Sequence, residues 1–225
     1  MNKYYINIGI IDDDETKRTQ IISKLEDGVE DANEEIQEQY NEFVLNPIEL
    51  EIKADMNEVL EQLVDKKIDV LVVDYKLASF ETSVDYTGVK FAIRTNERFL
   101  DFPIFILTSF ENELYKQESF NAYQVFDYER YLNEPAERIE VNRKIIEQHL
   151  KHKQQIEEYK NELNDLLLRE GESKEIDARI LELDDYLEKS LDGDSAIPKE
   201  IKKRLSDDKF DIMIDLLRKL TKEVE

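Results

Sequence analysis

Apolar residues fall along this chain in two rhythms. Up to about Pro135, short apolar runs alternate with stretches of helical period. Tyr4 to Ile11 is a run that ends on acid and reads as a buried strand. Val70 to Val73 is another, ending on Asp74, and Ile104 to Leu107 a third, ending on Thr108 and Ser109. Ile48 to Ala54 alternates more and reads as a further strand, and a last one lies within Val125 to Leu132. Helical spacing covers residues 15–44, 56–66, 87–98 and 111–122. This alternation predicts an α/β fold, a five-stranded doubly wound parallel sheet with helices on both faces. Functional residues in such sheets sit at the carboxyl ends of the strands. Asp12-Asp13, Asp74 and Thr108-Ser109 are therefore the positions to examine.

The second rhythm is helical throughout. Ala136 to Arg169 has no Gly or Pro, and Glu170-Gly171 breaks it. Ile176, Ile180, Leu183, Leu187 and Leu191 mark a second amphipathic helix, and Leu191 to Ser195 a turn. Ile197 to Leu205 is a short helical stretch. Phe210, Met213, Ile214, Leu217, Leu220 and Val224 mark a last helix. The division expected is 1–150 for the α/β domain and 151–225 for a helical interaction or coiled-coil region.

Two helices read as too long for the α/β part. Ile22, Leu25, Val29, Ala32, Ile36 and Phe43 sit near the a and d positions of one heptad frame, Gln39 being the polar exception. Ile145, His149, His152, Ile156, Tyr159, Leu163 and Leu166 alternate four and three apart, a coiled-coil seam. These patterns predict extended first and last helices that leave the sheet as a parallel pair, with the remaining helices packed on them. The rival expectation is a homodimer formed on the long C-terminal helix. His149 and His152 fall on the seam. An imidazole there is a pH switch, a polar register device, a phosphoryl carrier or simply a seam residue.

Charge narrows the function classes. Asp and Glu number 54 against 31 Lys and Arg, a net charge of −23. Such a surface suits neither nucleic acid nor anionic membrane, since both call for a basic stripe. No apolar run reaches a bilayer's span, and the N-terminus lacks a signal-peptide pattern. With 0 cysteines, disulfides, zinc–thiolate sites and a cysteine nucleophile are excluded. A cytoplasmic protein is expected.

The strand-end acids carry the candidate chemistry. If strands one and three are neighbours, Asp12, Asp13 and Asp74 converge and repel one another unless a cation lies among them. A hard cation with oxygen ligands, Mg²⁺ most simply, suits three carboxylates. An Asp carboxylate can also act as a nucleophile toward phosphorus, and the Thr108 hydroxyl can donate to a phosphoryl oxygen. Taken singly, each acid is better read as a solvated strand end or a helix cap, as Asp14 is. The ordered set reverses that preference.

In order along the chain stand Ile8-Gly-Ile-Ile-Asp-Asp-Asp-Glu15, Val70-Leu-Val-Val-Asp-Tyr-Lys-Leu77, Thr87-Gly-Val-Lys90, Pro103-Ile-Phe-Ile-Leu-Thr-Ser109 and Arg130-Tyr-Leu-Asn-Glu-Pro135. Together these stretches resemble the receiver domain of two-component response regulators, over about residues 1–150. The resemblance implies a flavodoxin-like receiver fold with Asp74 as phospho-acceptor. It implies Asp12 and Asp13 as Mg²⁺ acids, with Asp74 and the backbone carbonyl of Lys76 as further ligands. It makes Thr108 the hydroxyl switch residue and Tyr131 the aromatic one. The partners implied are a histidine kinase or other phosphodonor protein and, through the helical region, a downstream protein.

The sequence departs from that pattern in two places. Glu134 stands before Pro135, where the family usually has a phosphoryl-contacting Lys. An anion there would cost about 4 kcal/mol at roughly 4 Å and an effective dielectric of about 20. Lys76 and Lys116 are the substitutes the sequence offers. The segment from Asp74 to Gly88 is also long, and Ala78 to Asp85 could cover the site. Glu134 motivates a second expectation, a degenerate receiver that serves as a protein-binding adaptor without phosphorylation. A third comes from Asp12-Asp13-Asp14-Glu15-Thr16, which fits the Asp-x-Asp-x-Thr motif of haloacid dehalogenase-like phosphatases, with Asp12 as nucleophile and Asp14 as general acid. No later strand supplies the Lys and the further acid pair which those enzymes need.

Overall fold

The computed structural model describes residues 3–78, 84–110 and 124–192. The helix expected over 111–122, Lys116 and the helices expected beyond Gly193 lie outside the described residues. The chain divides at Gln154 into two compact units, and Arg98–Leu100 belongs with the second.

The first unit is built on five parallel strands, β1 (Tyr4–Ile11), β2 (Phe43–Glu49), β3 (Val70–Val73), β4 (Ile104–Thr108) and β5 (Val125–Asp127). Their order is β2-β1-β3-β4-β5, the flavodoxin-like doubly wound order. The expected fold class is thus observed. β3 and β4 are buried along their length and β1 from Ile8 to Ile11, as strands covered on both faces must be. Ile6, Ile8 and Ile10 of β1 join Val70 and Val72 of β3 and Phe105 and Leu107 of β4 in one core cluster.

β2 begins at Phe43, not at Ile48 as the sequence reading has it. It is an edge strand, paired only with β1, and Pro47 lies opposite Ile8. An edge tolerates a proline because one side of the strand needs no ladder donor. Half-exposure also breaks the apolar run that marks a central strand.

Helices α1 (Glu15–Glu26), α2 (Glu34–Tyr40), α3 (Met56–Asp65) and α4 (Gly88–Arg98) connect the strands, and α5 (Tyr128–Asn133) follows β5. Asp14, Asn33, Asp55 and Asp127 cap α1, α2, α3 and α5, each side chain accepting a first-turn N–H. Part of the acid excess is therefore cap chemistry.

The extended first helix is corrected by the structure. α1 ends at Glu26, and Gly28 adopts φ +56°, the left-handed conformation that stops a helix. Leu25 and Val29 are buried, and Ala32, Ile36 and Phe43 pack against the same core. A turn and a second short helix carry the apolar spacing that reads as one long helix.

Helix α6 (Pro135–Leu167) is long, as expected. Its first half buries Arg138, Val141, Asn142, Ile145, Ile146 and His149. Val141, Ile145 and Ile146 belong to the core of the first unit. The heptad seam here is therefore intramolecular. The buried Asn142 binds this half in place. Its amide donates to the carbonyls of Lys24 at 3.0 Å and Gly28 at 2.7 Å, where α1 has run out of helical partners. Arg138 pairs with Asp31 beside it.

The second unit holds the rest of α6 and α7 (Lys174–Asp192). Gly171, at φ +85°, turns the chain between them, and its N–H donates to Asp177 Oδ1 at 2.8 Å. Tyr159 and Tyr186 meet edge to face with ring centroids 4.9 Å apart. Arg179 grips Glu162 with two hydrogen bonds of 2.7 and 2.9 Å. Ile180, Leu183 and Leu187 are buried, three of the residues that mark this helix in the sequence. Among the described residues, no helix is long and apolar enough to cross a membrane.

Candidate functional site

β1 and β3 are adjacent, with Ile11 opposite Val73. The next residue on each strand is an aspartate, so the register alone brings Asp12 beside Asp74. The Asp74 N–H donates to the Ile11 carbonyl at 2.9 Å and holds the end of β3 in place. Asp12 is 1% exposed and Asp74 3%. One oxygen from each of Asp12, Asp13 and Asp74 lies within 4.8 Å of the others.

These carboxylates are under electrostatic stress. Asp12 Oδ1 accepts the Asp14 N–H at 2.8 Å, but Oδ2 has no hydrogen-bond partner, and neither has Asp74 Oδ1. A buried acceptor without a partner costs about 1–3 kcal/mol, more when charged. Burial, and then the charge of Asp74, pushes the Asp12 carboxyl up to about 7. Burial also raises Asp74, while the Lys17 ammonium, the Thr108 hydroxyl and the Tyr75 amide act in the opposite direction.

Thr108 is the last residue of β4 and fully buried. Its Oγ1 accepts the Phe110 N–H at 3.2 Å. Lys17 enters from the first turn of α1, where Asp14 accepts its N–H at 3.3 Å. Its Nζ stands 3.8 Å from Asp74 Oδ2. The same ammonium lies 5.2 Å from the Tyr128 ring centroid and 5.9 Å from that of Phe110. Lys76 covers Phe110 from 3.7 Å. Tyr128 is buried and donates its hydroxyl to Gln20 Oε1. Its own phenol is pushed up to about 12 by burial and by Asp12, Glu129, Asp14 and Asp74.

Gly88 closes the site from behind. A Cβ there would lie 1.9 Å from the Asp74 carbonyl oxygen. Its N–H donates to the Tyr75 carbonyl at 2.8 Å. The long segment after Asp74 thus returns to touch the strand end it left.

Other residues singled out in the sequence lie apart from this cluster. Tyr131, expected beside the fifth strand, is on α5 in the core, 1% exposed. Its hydroxyl donates to Asn142 Oδ1 at 3.1 Å. Glu134 does not follow β5. It is the C-cap of α5, half-exposed and paired with Arg130. The residue that ends β5, opposite Thr108, is Asp127, whose carboxylate caps α5 through the Arg130 N–H at 2.7 Å. Asp14, the general acid of the phosphatase reading, is committed to the cap of α1 through the N–H groups of Thr16 and Lys17.

The histidines are not equivalent seam residues. His149 is buried, with Nε2 3.2 Å from the Tyr4 hydroxyl and Nδ1 3.9 Å from Asp69 Oδ1. Burial holds its imidazole below the ordinary histidine value. His152 stacks edge-on against Phe102.

Sequence reasoning missed Lys17, Phe110 and Tyr128. The available signal was position. Lys17 lies three residues past the Asp14 cap, hence on the first turn after the acid-bearing strand. Phe110 and Tyr128 immediately follow the ends of β4 and β5.

Neither a family model nor a curated protein matches the sequence. Solved structures are similar to parts of the chain, three of them as follows. A two component transcriptional regulator AraC from Clostridium phytofermentans matches 67% of this chain and 98% of its own, at 14% identity and a TM-score of 0.44. The anti-anti-sigma factor PhyR from Bartonella quintana matches 69% and 51%, at 15% identity and 0.39. The lysine decarboxylase LdcF from Francisella novicida matches 66% and 18%, at 12% identity and 0.34.

Proposed function

We propose that the first unit is a receiver-like signalling domain that takes a phosphoryl group on Asp74, assisted by Mg²⁺. The observation that carries this reading is the pair of buried carboxylate oxygens, Asp12 Oδ2 and Asp74 Oδ1, that have no hydrogen-bond partner beside a third acid. Most buried polar groups in proteins are satisfied, and two unpartnered charged oxygens side by side call for a ligand. A divalent cation would satisfy both and neutralise the cluster. Asp12, Asp13 and Asp74 would hold it, with the Lys76 backbone carbonyl as a further oxygen ligand. When bound, Mg²⁺ supplies charge neutralisation for an arriving phosphoryl group.

The chain's own residues account for the rest. An Asp74 carboxylate oxygen attacks the donor's phosphorus. The bond from phosphorus to the donor's oxygen or nitrogen breaks, and its electron pair stays with the donor. Asp74 becomes an acyl phosphate. Thr108 donates its hydroxyl to a phosphoryl oxygen. Gly88 and the Asp74 N–H bond fix the acceptor in line with the strand. The donor is a histidine kinase or a small acyl phosphate in the cytoplasm. The acyl phosphate alters contacts made by the helical region, 151–225, with a protein partner.

Incubation with Mg²⁺ and a small acyl-phosphate donor tests this. The expected result is an acid-labile mass gain of one phosphoryl group that Asp74→Asn abolishes. A second reading, an adaptor that takes no phosphoryl group, draws on Asp127, an acid at the end of β5. Absence of both incorporation and Mg²⁺ affinity would support it. Steady phosphate release dependent on Asp12 would instead favour a phosphatase.

A further inference from the structure

Phosphoryl transfer to a buried carboxylate calls for a cation beside the Mg²⁺, because the product carries more negative charge than the acceptor. The end of β5 does not provide one. Asp127 stands there, capping α5, and Glu134 is paired with Arg130. Lys76 rests on the face of Phe110. A different element brings an ammonium to the acceptor. Lys17 Nζ is 3.8 Å from Asp74 Oδ2, with its side chain only 21% exposed.

Three features make this a built position rather than a chance pair. The Lys17 backbone is anchored on the Asp14 cap, in the turn that follows Asp12 and Asp13. The Tyr128 and Phe110 rings lie about its ammonium, one following β5 and the other β4. Aromatic faces hold a cation without neutralising it. Phe110 is in turn tied to Thr108 by the bond from its N–H. The Lys17 ammonium therefore meets an Asp74 oxygen while rings from two further elements lie about it.

We propose that Lys17 is the phosphoryl-contacting cation of this site, its ammonium passing from Asp74 Oδ2 to a phosphoryl oxygen as the acyl phosphate forms. This rests on the reading of Asp74 as acceptor. No proton moves and no other bond changes. Lys17 exchanges one carboxylate partner for a phosphoryl one, steadied by the Phe110 and Tyr128 faces. The structure thereby relocates to α1 a charge that the sequence lacks before Pro135.

The test compares the wild-type chain with Lys17→Met, Lys17→Arg and Asp74→Asn, all checked for folding by circular dichroism. Two quantities are read in each, Mg²⁺ affinity by calorimetry and beryllofluoride binding by ¹⁹F NMR. Lys17→Met is expected to weaken beryllofluoride binding roughly ten- to hundredfold, the worth of a charge-assisted hydrogen bond, with Mg²⁺ affinity unchanged or tighter. Lys17→Arg should recover part of the loss. A purely structural role for Lys17 would lower both affinities together. If Lys17→Met binds beryllofluoride as the wild type does, the assignment of Lys17 is wrong while Asp74 keeps its role. If wild type and Asp74→Asn are alike in showing no adduct, the acceptor reading falls and this assignment with it.

Discussion

The two units hold their clearest groups of charge differently. In the first, polar side chains are drawn into the interior at strand ends. Asp12, Asp74 and Thr108 are buried, and carboxylate oxygens are left without partners. In the second, Glu162 and Arg179 satisfy each other with about 40% of each side chain exposed. Lys189 and Asp185 pair along α7 at 2.9 Å, though there Asp185 Oδ1 is buried without a partner. Water can replace either partner of the Glu162–Arg179 pair and does not reach Asp12 or Asp74. The difference is between like charges gathered at strand ends and opposite charges paired within reach of water. Stress that burial prevents from relaxing is where a ligand gains most, whereas exposed pairs add little net stability.

The glycines give the largest expected contrast. Gly88→Ala would drive a methyl group into the Asp74 carbonyl oxygen. It should destabilise the first unit by about 3 kcal/mol or more in denaturant unfolding, and abolish phosphoryl incorporation. Gly171→Ala meets nothing within 4 Å and strains only the backbone, at φ +85°. It should cost about 1–2 kcal/mol and leave incorporation intact. Equal costs at the two positions would break the comparison.

Titration gives the next effect. The folded value of Asp12, about 7, lies above the ordinary 3.8. The native state therefore holds that proton more tightly than the unfolded chain. Its contribution is full below 3.8 and is lost as pH rises to about 7, a change on the order of a few kcal/mol. Asp74 is raised too and acts in the same sense. His149, lowered by burial, acts oppositely, losing stability as pH falls through the histidine range. The telling measurement is thus the melting temperature of wild type against Asp12→Asn from acid to neutral pH without Mg²⁺. The wild type should fall relative to the variant as pH rises, and Mg²⁺ should remove the difference. Parallel curves would mean that Asp12 is not stressed.

Smaller still is the contrast between buried and exposed polar ties. Asn142→Ala leaves Lys24 and Gly28 carbonyls and the Tyr131 hydroxyl without their partner. It should cost about 2–3 kcal/mol by chemical denaturation. Arg179→Ala removes a bidentate pair at the surface and should cost about 1 kcal/mol or less. A reversed order would show that α6 is not held by its buried amide.

Legibility in the sequence followed burial. β1, β3 and β4 are central strands, and their apolar runs end on the clustered residues. Asp12, Asp13, Asp74 and Thr108 could be read from that alone. β2 escaped because an edge strand keeps only half its apolar face and tolerates Pro47. The first helix was overextended because apolar spacing reports which residues meet the core, not whether one helix presents them. A left-handed Gly28 and the amide of Asn142, more than a hundred residues away, decided where α1 stops. The resemblance gave Tyr131 a switch role and marked Glu134 as its departure; the structure puts Tyr131 on α5 in the core and Glu134 at that helix's C-cap. β5 stops at Asp127, and an Asp-capped helix follows.

By itself, then, the sequence determined the α/β class, the strand-end acids and the helical character of the region after Pro135. Apolar periodicity is a local property, and a carboxylate after a buried strand has only one edge of the sheet to reach. Only the tertiary structure decided which cation faces Asp74, which aromatics lie about that cation, and where α1 stops. Those outcomes depend on side chains from separate elements meeting in space. No spacing along one chain segment records the 3.8 Å between Lys17 and Asp74.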